Sequence, residues 1–542
     1  MSLAEIVAAA LAAFLASAAV VPYLLDALGL GLMPGVVLAA SLAIAGVAAW
    51  SLVRGDRQGP PKGGRYMDAV AWAGVVAAVT AWLLRIAWPL LLPPGHGSDL
   101  THHLLLVDYI ERAGHLVHDR ALEVAMGEMA HYTPGAHLLA VLFGAWTGTD
   151  GFRAFFPVIA VSTALAAGFI LLTARRLRLP TPFAIASVML LMLPLDYFTG
   201  AFTHDAFLAQ AVCTSFTVAA WWVLVVWEQR PTAAVAALFG LLVTAVFLAW
   251  PVWIGPPLLV FFALLLRRHV SLGWRLRHFA IAMVPLAIVA GLHLVGRLGW
   301  ALIVRTSGAV LQPSLAVVGG VFPLLAAVGL VWAIATRRAH VTVAFLLAIV
   351  VQAVTLWFMS SSIGAETPYM AYKMGYLAIY PLAIFGALAL HAVVSHSALP
   401  VQTAVGWMLA TVMVIAIVRP ALNAPRQVPI VSIDLYDAGR WMRANVGAGC
   451  ADYLVGSADT AYWLHLAVLG NPRAAVRTAE IDRFDSRQVI GEWVESRGRG
   501  YAVADLRLLP DEVRRNVQVI KEFGQAAVIR RPGGTINGCD FR

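Results

Sequence analysis

Charged side chains are scarce in this 542-residue chain. Asp, Glu, Lys and Arg make up only 12% of it, against about 25% in an average soluble domain. Hydrophobic residues make up 61%, and the mean hydropathy is +0.80. A soluble globule of this composition would expose large apolar patches, and a disordered chain needs low hydrophobicity and high charge. The composition excludes both classes and predicts a polytopic α-helical membrane protein.

Cysteine is also scarce, with three residues in the whole chain. Cys213 lies in an apolar segment, where we expect it to serve packing. Cys450 and Cys539 both lie in the last fifth of the chain and can form a disulfide if that part faces an oxidising compartment. Two separate thiols are the alternative.

The few charges are unevenly distributed. Residues 1–420 hold 37 of the 67 charged side chains, and residues 421–542 hold the other 30. We therefore predict a membrane domain over 1–420 and a soluble domain over 421–542. The soluble part alternates strand-like runs (VPIVSI, ADYLVGS, YAVADL, AAVIRR) with helical ones (LYDAGRWMRANV, PDEVRRNVQVIKEF), which predicts a small α/β domain. It has no GxGxxG and no P-loop, and the chain has no basic run with interleaved aromatic residues, so we expect no nucleic-acid partner.

Long apolar runs predict about 13 membrane-spanning helices. The first run lacks the basic flank of a signal peptide, so we interpret it as an uncleaved helix. The predicted spans are 3–24, 32–53, 68–92, 153–174, 183–199, 206–227, 233–251, 253–267, 279–297, 314–336, 341–359, 374–395 and 402–420.

Lys and Arg in the short loops predict the orientation, because cytoplasmic loops carry an excess of them. One set of loops holds 14 basic residues, including Arg175, Arg176 and Arg178, and the opposite set holds fewer. The alternation requires that 133–148 lies at the interface instead of crossing. We therefore predict a bacterial inner-membrane protein with a cytoplasmic N-terminus and an extracytoplasmic C-terminal domain.

The largest outer loop, 93–152, concentrates polar chemistry. It has seven acidic residues, only two basic ones and the histidines His96, His102, His103, His115, His118, His131 and His137. In the segment PPGHGSDLTHH, a helix that begins near Asp99 places Asp99, His102 and His103 on one face through i+3 and i+4 spacing. A helix cap followed by two solvated histidines, and a metal site that includes Asp99 and His102, are the alternatives.

Two further outer segments carry candidate residues. His204 and Asp205 lie between two spans, where a carboxylate close to hydrocarbon is costly; helix capping is the alternative. The segment ETPYMAYKMGYLAIYP, 366–381, holds Lys373, one of only three lysines beside 35 arginines. A point charge there suits a phosphate, although a snorkelling lysine in an aromatic belt has the same pattern. Arg85, inside the third span, is expected to pair with a carboxylate in the bundle.

The arrangement of these segments resembles the GT-C superfamily of polyprenyl-phosphate-sugar-dependent glycosyltransferases. The features are an outer loop that opens with an acid (GSDLTHHLLLVDYIERAGHL), the segment YTPGAHLLAVLFGAW, the acidic loop FTHDAF, a basic residue that opens a late span (YKMGYL), and a soluble outer domain. The likeness covers roughly 68–542, and the first two spans look like an addition.

The resemblance implies roles for these residues. Asp99 would be the general base or help to position the acceptor, and Asp205 would be a second catalytic acid that binds acceptor or metal. Further predicted roles are donor phosphate binding by Lys373, Arg297 and Arg305, and substrate binding by His102, His103, His204, Tyr369, Tyr372 and Glu366.

A divalent metal such as Mg²⁺ or Mn²⁺, with Asp99, His102 and Asp205 as ligands, stays open because the second loop has no DxD pattern. The implied partners are a polyprenyl-phosphate-linked sugar, an acceptor that is a glycan, lipid or protein, and membrane lipid. A lipid-linked sugar flippase or transporter, and a polymerase or ligase that uses a lipid-diphosphate donor, are the alternative functions.

Overall fold

The computed structural model of the chain is mostly helical, with one small sheet near its C-terminal end. The structure describes the residues given in the next sentence, most of them with their side chains. For Asp99 it describes the backbone alone. The described residues are 1–54, 65–93, 98–119, 122, 126–194, 206–267, 270–295, 310, 312–395, 411, 415, 418–426, 428–470, 485–495 and 500–531.

Within these ranges, eight helical segments are long and apolar enough to cross a membrane. Their length follows from runs of Ala, Leu, Val and Ile that match the ~30 Å hydrocarbon thickness of a bilayer. The last segment consists of two consecutive helices. The eight are Leu3–Ala27, Pro34–Arg54, Arg65–Ala87, Gly151–Arg176, Leu208–Gln229, Leu272–Leu294, His340–Ser362, and Tyr369–Tyr376 with Ile379–Ser395.

Shorter apolar helices complete the membrane body. They are Gly135–Thr147, Thr181–Leu191, Ala233–Ala249, Pro251–Arg267 with its first turn a 3₁₀ helix, and Val321–Ala335. Each predicted span except 402–420 coincides with a long or a short helix, and 402–420 lies almost wholly outside the described residues. Gly135–Thr147 has 13 residues, about 20 Å at ~1.5 Å per residue, and that 133–148 lies at the interface stays a prediction.

The first helix is an integral part of the membrane body. It packs against Pro34–Arg54 and Ala233–Ala249. One face is built of small side chains such as Ala8, Ala12 and Ala16, all of which are buried. Small residues let helix backbones approach closely, which favours association inside a membrane.

Ion pairs mark the two ends of this first helix. At one end the carboxylate of Glu5 accepts two hydrogen bonds from the guanidinium of Arg176. At the other end Asp26 accepts from the backbone N–H of Leu116 at 2.8 Å and pairs with Nε2 of His118 at 2.9 Å. A basic loop and the histidine-rich outer loop therefore lie at opposite ends of the bundle, which agrees with the predicted alternation.

Among the described residues, Arg85 contacts no carboxylate, contrary to the prediction. Its guanidinium donates to the backbone carbonyl of Leu422 at 3.1 Å, and the indole of Trp82 donates to the carbonyl of Ala421 at 2.9 Å. The short helix Arg419–Asn423 leaves carbonyls without intrahelical partners. The third long helix supplies the donors and so fixes the point where the chain leaves the membrane body.

The described C-terminal residues form an α/β unit around a four-stranded sheet. The strands are β1 (Ala451–Leu454), β2 (Tyr501–Asp505), β3 (Gln518–Phe523) and β4 (Ala526–Arg530), in the order β1-β2-β4-β3. β1 and β2 are parallel, and the other two pairs are antiparallel. The main helices are Ile433–Asn445, Ala458–Trp463 with its π-helical continuation Leu464–Val468, Ser486–Val494 and Asp511–Asn516.

Three of the four predicted strands are confirmed, and VPIVSI is not a strand. Ser432 caps the helix that follows by accepting from the backbone N–H of Leu435, and Pro429 has no N–H to give to a sheet. The predicted helix PDEVRRNVQVIKEF is also wrong in its second half. It ends at Asn516, and the next residues form β3, which turns into β4 at Gly524 with φ +57°.

The cysteines divide as the sequence suggested. Cys213 is a buried free thiol in the membrane body, and Cys450 is disulfide-bonded. Cys539 lies outside the described residues, so the pairing of Cys450 with Cys539 stays a prediction.

Candidate functional site

Lys373 is a buried cation at one end of the membrane body. Only 3% of the residue is exposed. Its ammonium lies 3.8 Å from the ring centre of Phe207, 4.3 Å from that of Tyr369 and 5.0 Å from that of Trp250. Ring faces attract a cation, by about 2 kcal/mol when it is desolvated. The three rings therefore offset part of the cost of burying the ammonium and hold it in a defined place.

Helix ends position this cage of rings. Tyr369 and Lys373 lie four residues apart on the helix Tyr369–Tyr376, so their side chains share one face. Phe207 directly precedes the helix Leu208–Gln229. Trp250 follows the helix Ala233–Ala249, which ends there because Pro251 cannot continue the hydrogen-bond ladder. The cage therefore follows from where three helices begin or end.

The other residues predicted in this segment lie differently. Tyr372 is half-buried and Glu366 is exposed. The contacts of the described residues place neither against the ammonium of Lys373, and both stay predicted substrate contacts. Tyr369, in contrast, is brought directly to Lys373 as part of the cage.

The helix Ser98–Ala113, which we call the histidine helix, opens the outer loop as predicted. His103 is 5% exposed, and its Nδ1 lies 2.8 Å from Nε2 of His137. Their rings stack with centres 5.1 Å apart. The ring of Tyr132 stands edge-on to both, at 5.1 and 5.6 Å. Burial, together with the neighbouring His103, holds the pKa of His137 well below its usual value, so His137 is neutral at pH 7.

Aromatic contacts join the histidines to Lys373. The ring of Tyr132 lies 6.1 Å from that of Trp250, and Trp250 also faces the ammonium. The outer loop and the late span thus meet at one end of the bundle, around a shared aromatic wall. Asp99 lies in the first turn of the histidine helix, one turn before His102 and His103.

His102 is held from two sides. Its Nδ1 lies 2.7 Å from Oε1 of Glu128, and its Nε2 lies 2.9 Å from the hydroxyl of Tyr462. Glu128 belongs to the 3₁₀ helix Gly127–Ala130 of the outer loop, whereas Tyr462 belongs to the C-terminal α/β unit. The sequence singled out His102 but neither partner.

Several predicted residues cannot be placed. His204, Asp205, Arg297 and Arg305 lie outside the described residues, and so does the side chain of Asp99. Their roles stay predictions. Asp205 stands two positions before Phe207, whose ring covers the ammonium of Lys373.

The described side chains do not form a metal site. No three His, Cys, Asp or Glu groups converge among them. Both ring nitrogens of His102 are engaged, by Glu128 and by Tyr462, so in this arrangement His102 has no lone pair left for a metal ion. A metal site would depend on the side chains of Asp99 and Asp205, which lie outside the described part of the chain.

The site contains residues that sequence reasoning missed: Phe207, Trp250, Glu128, Tyr132, His137 and Tyr462. His137 and Tyr132 lie in the segment YTPGAHLLAVLFGAW, which the resemblance had marked without assigning them a role. No sequence signal marks Tyr462, which is 360 residues from His102.

Comparison with known proteins shows which solved structures have a similar fold. No protein-family model matches the sequence, and no curated protein sequence matches it. The oligosaccharyltransferase of Archaeoglobus fulgidus aligns over 82% of this chain and 70% of its own, with a TM-score of 0.51 and 14% identity. The mycobacterial arabinofuranosyltransferase AftD aligns over 88% of this chain and 40% of its own, with a TM-score of 0.52 and 15% identity.

A third structure, ArnT from Cupriavidus metallidurans bound to undecaprenyl phosphate, aligns over 85% of this chain and 98% of its own, at a TM-score of 0.48 and 15% identity. At identities this low, the likeness shows the fold alone and not the function. All three proteins are GT-C glycosyltransferases. On the two alignments with TM-scores of 0.51 and 0.52, the chain has a fold similar to that of the oligosaccharyltransferase and of AftD, and it is a polytopic helical membrane protein with a small α/β unit at its C-terminal end.

Proposed function

We propose that the protein is an integral-membrane glycosyltransferase that moves a sugar from a polyprenyl-phosphate carrier to a hydroxyl group of a glycan, lipid or protein. The observation that carries the proposal is the position of Lys373. A buried ammonium lies among three aromatic rings at the end of a membrane bundle, and those rings continue to the histidines of the outer loop. The GT-C fold supports the same class of reaction.

The chemistry of the cage suits a lipid monophosphate. Lys is a compact point charge that binds phosphate oxygens. A water-poor aromatic surrounding strengthens its attraction to an anion, because the local dielectric is low. The apolar helices beside it suit an isoprenoid chain, so the lipid can remain in the membrane while its phosphate reaches the ammonium.

Transfer then requires one base and one cation. In the proposed mechanism Asp99 takes the proton of the acceptor hydroxyl, and the resulting oxygen attacks the anomeric carbon. The bond between that carbon and the phosphate oxygen breaks, and the charge that develops on the phosphate is stabilised by Lys373, with Arg297 and Arg305 as further donors. A single displacement of this kind inverts the anomeric centre.

The remaining predicted residues would bind substrate: His204 and Asp205 on the acceptor side, and Tyr369, Tyr372 and Glu366 on the donor side. For the cell we propose a bacterial inner-membrane enzyme with the N-terminus inside and the histidine-rich loop outside. The separation of the basic loop and the histidine-rich loop at opposite ends of the first helix supports this orientation.

A donor assay tests the function. The purified full-length protein in liposomes is offered pentoses and hexoses linked to polyprenyl monophosphate or to polyprenyl diphosphate, with short oligosaccharide and lipid acceptors. We expect transfer from a monophosphate donor. Transfer from diphosphates only would indicate a polymerase or ligase, and lipid flipping without transfer would indicate a flippase; either result overturns the proposal.

Lys373→Met tests the observation behind it. We expect at least a 100-fold loss of transfer, because a fixed group that stabilises charge in the transition state contributes about 10²–10³ in rate. Lys521→Met is the matched control, because Lys521 is an exposed lysine on β3. Equal activity of the two variants would remove Lys373 from the mechanism.

A further inference from the structure

His102 receives one of its two partners from the C-terminal α/β unit. We propose that this unit is a working part of the active site, in which Tyr462, together with Glu128, is a positioning residue for the imidazole of His102. The inference rests on the proposed function and extends it, because it assigns a role to residues that lie outside the membrane body.

The two contacts determine how the imidazole is oriented. A carboxylate accepts hydrogen bonds only, so Nδ1 of His102 donates its proton to Oε1 of Glu128 across 2.7 Å. In the neutral ring Nε2 then carries the lone pair, and it accepts the hydroxyl proton of Tyr462 across 2.9 Å. Both His102 and Tyr462 are 6% exposed, so water does not compete freely for the contact between them, whereas the side chain of Glu128 is 50% exposed.

An electrostatic lock holds the α/β unit on the same histidine helix. Asp108 is fully buried. Its carboxylate accepts from Arg112 of its own helix at 2.9 Å, and from Arg440 at 3.0 Å and Arg443 at 2.6 Å. These last two arginines belong to the helix Ile433–Asn445, which we call the docking helix.

Close contact on both sides of this lock excludes a loosely tethered domain. Gly470 has φ +69°, and a Cβ atom there would lie 2.7 Å from Oδ2 of Asp108, so only glycine fits without a shift. The π-helical segment Leu464–Val468, which directly follows Tyr462 and Trp463, packs against the histidine helix. Arg443 also donates to the carbonyl of Val468 at 3.1 Å.

A second set of contacts ties the docking helix to the start of the helix Gly151–Arg176. The hydroxyl of Tyr436 donates to Oδ2 of Asp150 at 2.7 Å, and Arg153 pairs with Asp437 at 3.1 Å. These two anchors fix the position of the α/β unit on the membrane body. In that position the Tyr462 hydroxyl reaches His102, and His102 lies one helical turn after Asp99.

The experiment removes single hydroxyls. Tyr462→Phe keeps the ring and deletes the hydroxyl that bonds to His102. Tyr453→Phe is the matched control, because the Tyr453 hydroxyl bonds to Nδ1 of His465 at 3.0 Å in the same α/β unit. We expect Tyr462→Phe and Glu128→Gln to lower kcat about tenfold with the donor KM within twofold, while Tyr453→Phe retains wild-type kinetics.

A double mutant of His102 and Tyr462 separates an effect that passes through the imidazole from a general effect on folding. In a His102→Ala background, Tyr462→Phe should cause no further loss, because its effect passes through the imidazole. An undiminished kcat in Tyr462→Phe, or the same further loss in the His102→Ala background, overturns the inference while wild-type transfer stands. Absence of any sugar transfer by the wild-type protein overturns the proposed function, and this inference with it.

Discussion

The candidate site has two halves that are built differently. The membrane half is Lys373 with Phe207, Tyr369 and Trp250, and every part of it comes from ends of apolar helices. The domain half is Glu128, His102 and Tyr462, which come from two stretches of the outer loop and from the α/β unit. Ring faces hold the first, and hydrogen bonds and ion pairs hold the second.

This difference has a consequence for stability. The membrane half forms when the bundle packs, because its rings are fixed by helix ends. The domain half forms only when the α/β unit docks, because one of its three members lies on that unit. Substitutions in the lock should therefore damage the domain half and leave the membrane half in place, and the reverse should hold for substitutions in the cage.

The largest effect is expected at Asp108. Asp108→Asn leaves Arg440 and Arg443 partly buried without a carboxylate, and breaking a buried pair in this way costs about 3–5 kcal/mol. This loss of free energy should make the docking helix open more often. Hydrogen exchange of its backbone amides measures the increase. Binding of the donor lipid, measured separately, should persist because Lys373 is untouched.

Arg112→Ala is the control for Asp108→Asn. Its side chain is 48% exposed, and an exposed ion pair contributes at most about 1 kcal/mol. Equal effects of the two variants would show that the buried arginines of the docking helix do not form the lock. Loss of donor binding in Asp108→Asn would show that the two halves are not separable.

Trp250 joins the membrane half to Tyr132 of the outer loop, and its replacement tests the membrane half by itself. Trp250→Leu removes a ring face from Lys373, at a cost of about 2 kcal/mol if the contact is desolvated. We expect the donor KM to rise by roughly 30-fold, since about 1.4 kcal/mol corresponds to a factor of ten. Steady-state kinetics with varied donor concentration measures it.

Trp253→Leu is the matched control, because Trp253 is a fully buried tryptophan three residues away that the described contacts do not place against the ammonium. It should lower stability by lost packing and leave the donor KM unchanged. A similar rise in KM for both variants would mean that Trp250 acts by packing alone.

The membrane half was the more predictable of the two. Apolar runs of about 20 residues identify spans because the hydrocarbon thickness fixes their length. The rarity of lysine singled out Lys373 in this arginine-rich chain. Its ring partners Phe207 and Trp250 were missed, since a face shared by three helix ends depends on how the helices pack and leaves no pattern in local sequence.

The domain half was predictable only in part. The i+3 and i+4 spacing from Asp99 indicated His102 and His103, but their partners lie at long separations along the chain. The helix predicted over PDEVRRNVQVIKEF shows the same limit. Val519 and Ile520 can lie in a helix or in a strand, and pairing of β3 with β4 makes this segment a strand. Tertiary contact overrode local propensity there.

A smaller effect is expected at Tyr436. Tyr436→Phe removes the hydroxyl that donates to Asp150. A hydrogen bond to a charged group contributes about 1.5–3 kcal/mol, so the docking helix should lose protection by about 2 kcal/mol in hydrogen exchange. Tyr453→Phe, which breaks a bond inside the α/β unit, should leave this helix as protected as in the wild type. The opposite ranking would exclude the second anchor.

The smallest effect concerns pH at the place where the docking helix meets the membrane body. Burial raises the pKa of Glu111, and Arg440 only partly opposes it. A carboxyl with a raised pKa binds its proton more tightly in the docked state, so its contribution to docking is complete below the ordinary glutamate pKa. That contribution is lost as the pH rises through the raised value.

Glu111→Gln should remove this dependence while it keeps an acceptor for the backbone N–H of Gly151, which lies 3.4 Å from the carboxylate. The wild-type protein should therefore approach the protection of the variant as the pH falls from 7.5 to about 4.5, and the variant should be the better protected of the two at neutral pH. A difference between them that is constant over this range would show that Glu111 does not titrate with docking. The pH dependence of docking would then have to come from other carboxylates between the docking helix and the membrane body.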